Sequence, residues 1–252
     1  MTSETLYNLI LTTAQENTAI LMIGSEGSRN DPTVTPDQYQ DFDITYFVSD
    51  DVFPTFDVFD RSRFGDMMIQ QILPEKNRWC WLMQFMDGNR LDLKIQPVSV
   101  VPDYLAEDTL NTILLDKTGH YTNLTATSDR THWVQRPTQS EFDDSITEFF
   151  WVSTYVLKGI LRGELLYANT FFESIVREEL YRLLTWRIGR DTDFSLSVGK
   201  AHKRLPAYFE GQALSTALKM ANDLLPSLSH DLQLTYDVAT VDRTTDYILR
   251  QL

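Results

Sequence analysis

The chain has 252 residues, with 22 Lys plus Arg against 36 Asp plus Glu, a formal net charge of −14 and a single cysteine, Cys80. That balance excludes an internal disulfide framework and argues against a partner held through its phosphate backbone, which needs clustered Lys and Arg. No apolar run approaches the 18 or so residues that span a bilayer. With 42% apolar residues, 14 Phe, 11 Tyr and 5 Trp, the chain can bury a substantial core. The expectation is a soluble, cytoplasmic monomer with neither a membrane nor a nucleic-acid partner.

Leu6, Leu9, Ile10 and Ala14 recur at helical spacing and predict a helix over 3–17, with Ser3 available as its N-cap. The apolar run Ala19 to Ile23 reads as a buried strand ending at Gly24, and the Gly- and Ser-containing stretch to Pro32 reads as tight turns. Residues 41–48 form a further strand, whose period of two sends Asp41 and Asp43 to one face. Strands over 79–86 and 90–96 flank Asp87-Gly88-Asn89, a hairpin signal, and place Asp92 in mid-strand. Cys80, between Trp79 and Trp81, reads as buried and inert.

The composition shifts near Arg136-Pro137, beyond which the patterning is helical: 141–162, then 171–188 with Gly189 as a stop, then after Pro206 and over 224–240. Phe171, Phe172, Ile175, Val176, Leu180, Leu183 and Leu184 form an apolar stripe suited to packing between helices. The expected fold is α+β: a mixed-sheet domain with flanking helices over residues 1–136, followed by an all-α bundle over 137–252.

Asp is disfavoured within strands, so Asp41, Asp43 and Asp92 call for an explanation. Alone, Asp41-x-Asp43 also fits two solvated residues on an edge strand. Carboxylates crowded on one face beside Ile44 to Val48 repel each other, and a divalent cation removes the conflict. Oxygen-only donors suit Mg²⁺, which binds one or two carboxylates together with substrate phosphates. Upstream, separated from Asp41 by the twelve residues Arg29 to Gln40, lies Gly27-Ser28, a turn that offers backbone N–H groups and a hydroxyl to anionic oxygens.

This ordered set resembles the nucleotidyltransferase superfamily typified by DNA polymerase beta. The likeness narrows with Gly27-Ser28-Arg29-Asn30, Tyr39 to Ile44, Phe64-Gly65, Gln71 to Glu75, Asp87 to Leu93, and Glu148 to Val152 through Tyr155 to Gly159. Together these resemble the aminoglycoside 6-adenylyltransferases, which modify streptomycin.

The resemblance implies attack of an acceptor hydroxyl on the α-phosphorus of ATP, with release of pyrophosphate. It implies Asp41, Asp43 and Asp92 as ligands to two Mg²⁺ ions and Asp92 as general base. Gly27, Ser28, Arg29, Lys158, Lys200 and Lys203 would serve the nucleotide, and Glu148, Trp151 and Tyr155 a cationic aminoglycoside. By spacing alone, Glu148, Trp151, Tyr155, Lys158 and Arg162 share one helical face, which is equally compatible with a core stripe. A different hydroxylated acceptor, or a nucleotide-binding protein of this fold without turnover, are the alternative readings.

Overall fold

The computed structural model describes residues 1–56, 60–75, 78–205 and 214–251. The chain divides into two compact units, Met1–Thr131 and His132–Leu252, five residues before the expected division. The first unit is a mixed sheet with flanking helices and the second is an all-α bundle.

In the first unit, helix α1 (Ser3–Glu16) leads into β1 (Ile20–Glu26) and β2 (Phe42–Val48). Then come β3 (Met67–Glu75), β4 (Arg78–Phe85), β5 (Arg90–Pro97), α2 (Val101–Glu107) and β6 (Thr112–Asp116). Among the described residues the sheet runs β3-β4-β5-β2-β1-β6. Only the β2–β5 neighbours pair parallel, the hairpin of β3 and β4 being inserted between them in the chain. The predicted hairpin around Asp87-Gly88-Asn89 is present, with Gly88 at φ +89°. Neither β3 nor β6 was anticipated as a strand. β3 is an edge strand with Ile69 and Ile72 exposed, and all five residues of β6 are half-buried, so neither shows a strict alternation.

Alternation along β2 and β5 separates the two faces of the sheet. Phe42, Ile44, Tyr46, Leu91, Leu93 and Ile95 are buried with Leu6, Ile10 and Ala14 of α1. Tyr46 donates its hydroxyl to the Ile10 carbonyl at 2.7 Å, tying the helix to the sheet. Thr2, not Ser3, caps α1: its Oγ1 accepts from the Thr5 N–H at 3.1 Å, one residue earlier than the spacing suggested. The opposite face packs Met22 and Phe47 on Val101 and Tyr104 of α2. Further along that face lie the polar residues of the candidate site.

The helical unit starts with α3 (Gln139–Leu161), whose capping box pairs Thr138 with Glu141. Helix α4 (Leu165–Phe171) passes through one π-helical stretch, Phe172–Val176, into α5 (Arg177–Asp191). The expected stripe is core here: Phe172, Val176, Leu180, Leu183 and Leu184 are buried, with Phe171 and Ile175 packed against them. The predicted stop at Gly189 is not one, since α5 continues through it to Asp191. A Cβ on Gly189 would lie 2.7 Å from Val134 Cγ1 and 2.8 Å from the Phe194 ring, so the glycine serves close packing rather than termination.

The single helix expected over 224–240 is two, α6 (Leu214–Leu232) and α7 (Val238–Leu249). The break falls at Gln233, with φ +57°, and Asp237 caps α7. Residues 206–213, where a helix after Pro206 was expected to begin, lie outside the described residues.

Helix propensity alone makes Gly189→Ala stabilising by about 1 kcal/mol. The overlap with Val134 and Phe194 reverses the sign, and we expect a net loss of about 1–3 kcal/mol. Thermal unfolding monitored by circular dichroism checks this; a variant melting above the parent would show that the packing yields.

Candidate active site

Strand β1 ends at Glu26, and the chain turns sharply over Gly27–Asn30. Gly24-Ser25, another Gly-Ser pair, lies inside β1, so the turn belongs to Gly27-Ser28. Gly27 has φ +72°, and a Cβ there would stand 2.6 Å from Asp43 Oδ2. Glycine is thus required twice, for the left-handed backbone and for the close approach to a carboxylate. Asn30 anchors the turn by donating to the Leu110 carbonyl at 2.9 Å and accepting from Ser25 Oγ at 3.2 Å.

Asp43 lies in register with Asp92 on the neighbouring parallel strand and with Glu26 on the antiparallel one. Strand neighbours in register are about 5 Å apart, so three acids share one patch of sheet. Burial, then the charges of Asp92 and Glu26, push the Asp43 carboxyl up from its ordinary 3.8 to about 6, partly opposed by Lys94. Asp41 immediately precedes β2 on the same side.

Three positive groups answer these acids, and sequence reasoning assigned a role to only one of them. Arg90 donates from Nε and Nη2 to the two oxygens of Asp92 at 2.9 and 2.8 Å, and its Nε lies 3.7 Å from Asp41 Oδ2. Lys94 pairs with Glu26, which also accepts from Thr45 Oγ1 at 2.8 Å. The signal was the alternation itself: positions 90, 92 and 94 of one strand share a face. Arg29, assigned to the nucleotide, donates to the Asp41 and Gln40 carbonyls at 2.8 and 2.7 Å and to Ser3 Oγ at 3.0 Å, with its guanidinium 3.6 Å above the Phe42 ring. It clamps the segment entering β2. Ser28 is tied to the same segment through Gln40, whose amide donates to the Ser28 carbonyl at 3.1 Å.

The donor set fits a hard divalent cation. Asp43 and Asp92 are adjacent oxygen donors in a partly desolvated patch, beside a turn with no side chain between it and Asp43. Among the described residues no three His, Cys, Asp or Glu side chains converge into a cage. Mg²⁺ needs none, because substrate phosphates and water complete its shell.

In the helical unit the face predicted on α3 is present and outward. Glu148, Trp151 and Lys158 are exposed, while Tyr155 is half-buried and packs against the core, so the core-stripe alternative does not hold for Trp151. Trp151 Nε1 donates to the Tyr155 hydroxyl at 2.6 Å, the Tyr155 ring meets Phe171 edge-on, and Lys158 Nζ lies 5.8 Å from the Tyr155 ring centre. Lys200 and Lys203 are exposed around a short 3-10 turn, Lys200–His202, with Ala201 and His202 at positive φ. His202 approaches Glu178 at 3.4 Å.

A mixed sheet that sets a Gly-Ser turn against in-register strand aspartates defines a nucleotidyltransferase of the DNA polymerase beta type. A family model described as streptomycin adenylyltransferase matches residues 1–237. The aminoglycoside 6-adenylyltransferase of Bacillus subtilis (strain 168) is 36% identical over 218 residues, covering 82% of this chain and 76% of that protein. The one from Campylobacter jejuni is 36% identical over 210 residues, covering 80% and 73%. The crystal structure of an aminoglycoside 6-adenyltransferase from Bacillus subtilis aligns over 98% of this chain and 97% of that one, at 28% identity and a TM-score of 0.45. The chain belongs to the aminoglycoside 6-adenylyltransferase family. No helix among the described residues is long and apolar enough to cross a membrane.

The raised Asp43 value has a stability consequence. Between about pH 4 and 6 the folded protein holds a proton on Asp43 that the unfolded chain has released, so this group's contribution to stability falls as pH rises through that window. Asp43→Asn removes the penalty. In metal-free buffer the variant should match the parent near pH 4 and exceed it at pH 7.5 by about 2–3 kcal/mol, read as the difference between paired urea titrations. A difference independent of pH would refute the burial-driven shift.

Proposed function

We propose that this protein transfers AMP from Mg-ATP to a hydroxyl of an aminoglycoside, the 6-hydroxyl of streptomycin being the acceptor, with release of pyrophosphate. The observation that carries the reading is the pairing of Asp43 with Asp92 beside the Gly27 turn, in a chain of this family. Residues 1–131 would act as the nucleotidyltransferase domain and residues 132–252 as a helical substrate- and nucleotide-binding domain.

Asp41, Asp43 and Asp92 would hold up to two Mg²⁺ ions, whose chemistry is to neutralise the triphosphate and lower the pKa of a bound hydroxyl. The backbone N–H groups of Gly27 and Ser28 would bind phosphate oxygens, which a side chain at position 27 would obstruct. Asp92 would accept the proton of the attacking hydroxyl, since a neutral hydroxyl is a poor nucleophile. Arg29 would act indirectly, by fixing the loop that presents Asp41. Lys158, Lys200 and Lys203 are assigned to phosphate charge. The acceptor carries cations on a sugar framework, and the outward face of α3 offers matching chemistry: Glu148 for charge, Trp151 and Tyr155 for stacking and cation–π contact.

Incubation with Mg-ATP and a panel of aminoglycosides, followed by pyrophosphate release, tests the whole reading. Release with streptomycin is the expected result. Release only with another acceptor would keep the reaction and change the substrate; none with any acceptor would refute the activity.

Asp92→Asn should reduce kcat by about 10³-fold with an unchanged circular dichroism spectrum. Trp151→Ala should raise the acceptor KM about tenfold and leave the ATP KM unchanged, because it removes a stacking surface rather than a phosphate contact. A rise in the ATP KM instead would move Trp151 to the nucleotide.

A further inference from the structure

The acidic patch carries its own counter-ion, and that counter-ion occupies the donors a metal needs. Both oxygens of Asp92 are engaged by the guanidinium fork of Arg90, at 2.9 and 2.8 Å. The same group reaches towards Asp41, at 3.7 Å. A bidentate arginine takes the in-plane lone pairs of a carboxylate, which are also the ones that would face a divalent ion or an incoming proton. Arginine and metal cannot both hold that chelating edge of the carboxylate, and their charges repel at that range.

The neighbouring cations differ from Arg90 in how they are held. Arg29 is fixed by three hydrogen bonds and the Phe42 ring, and Lys94 by Glu26. The Arg90 side chain is 39% exposed, against 13% for Asp92. It is attached to the patch chiefly through the carboxylates themselves, and water is open to it when it lets go.

We propose that Arg90 is a displaceable counter-ion: it closes the Asp41–Asp92 end of the patch in the metal-free protein and must leave for a divalent cation to bind. Metal entry is then an exchange of one cation for another. The exchange is unfavourable for the bare ion and becomes favourable with nucleotide, whose phosphates both complete the metal's shell and give the guanidinium a new partner. Arg90 engages both Asp92 oxygens until exchange occurs, so it acts through Asp92 rather than on the substrate. This inference rests on the metal site proposed above.

Mn²⁺ binding to the full chain, followed by electron paramagnetic resonance of the free ion without nucleotide and again with ATP, tests it. Wild type should bind weakly alone and strongly with ATP, beyond the Mn²⁺ that ATP takes up in a protein-free control. Arg90→Gln should bind bare Mn²⁺ at least tenfold more tightly than wild type, and Asp92→Asn added to it should abolish that gain. A thermal melt should show Arg90→Gln stabilised by Mg²⁺ alone, and wild type scarcely so. If Arg90→Gln does not fold without metal, Arg90→Lys, which keeps the charge and loses the fork, should still bind more tightly than wild type. Unchanged or weaker Mn²⁺ binding by the folded variants, with wild type still binding Mn²⁺ in the presence of ATP, would overturn the role of Arg90 and leave the metal site standing. Absence of Mn²⁺ binding by every form, with and without ATP, would overturn both.

Discussion

The parallel pairing of β2 with β5 is the constraint on which the rest of the first unit depends. It places Asp43 opposite Asp92 although 48 residues of chain lie between them, and with a period of two it also puts Thr45 beside Lys94. A slip of either strand by one residue would turn its aspartate into the apolar core under α1, where an ionised carboxylate is prohibitively costly. The buried set Phe42, Ile44, Tyr46, Leu91, Leu93 and Ile95 therefore does two things at once. It supplies the hydrophobic stabilisation of the sheet, and it forces the acids onto the opposite face.

Concentrating acids there is unfavourable, and the structure distributes the compensation unevenly. Glu26 is satisfied by Thr45 and Lys94, Asp92 by Arg90, and Asp41 lies where the Arg29-clamped segment enters β2. The Asp43 carboxyl is shifted upward, first by burial and then by its acidic neighbours. A carboxyl raised by burial and acidic neighbours is stabilised in its ionised form by an added cation. The close approach of the Gly27 turn adds to this, because a side chain there would collide with the Asp43 carboxylate.

The helical unit separates its buried packing from its exposed polar and aromatic face in a similar way. Phe142, Phe149, Val152 and Val156 of α3 are buried, while Glu148, Trp151, Tyr155 and Lys158 form the outward face. An exposed tryptophan that donates its N–H to a tyrosine hydroxyl, with that ring braced by Phe171, is a preordered aromatic surface rather than a loose one. Close packing behind it uses Gly159, where a Cβ would lie 2.9 Å from Ala168 Cβ. The π-helical stretch that joins α4 to α5 keeps Phe172 and Val176 directed into the core across the irregularity.

Much of this was legible in the chain itself, because it rests on local chemistry. The α1 periodicity, the Asp87-Gly88 hairpin, the helical second half and the alternation that aligns Asp41 with Asp43 all follow from neighbours a few residues apart. Residue types and order also carried the family likeness. Where a feature depends on a distant partner, local reading failed. Gly189 looked like a helix stop and is a packing contact with Val134 and Phe194; Gln233 divides what patterning joined; β3 and β6 have no strict alternation because of where they sit in the sheet. The sequence by itself singled out Asp41, Asp43 and Asp92 as strand acids that call for an explanation. Tertiary structure alone decided that Asp43 faces Asp92 and Glu26, that Arg29 is a clamp, and that Arg90 is the cation in possession of Asp92, since strand register and side-chain reach join residues that no local spacing relates.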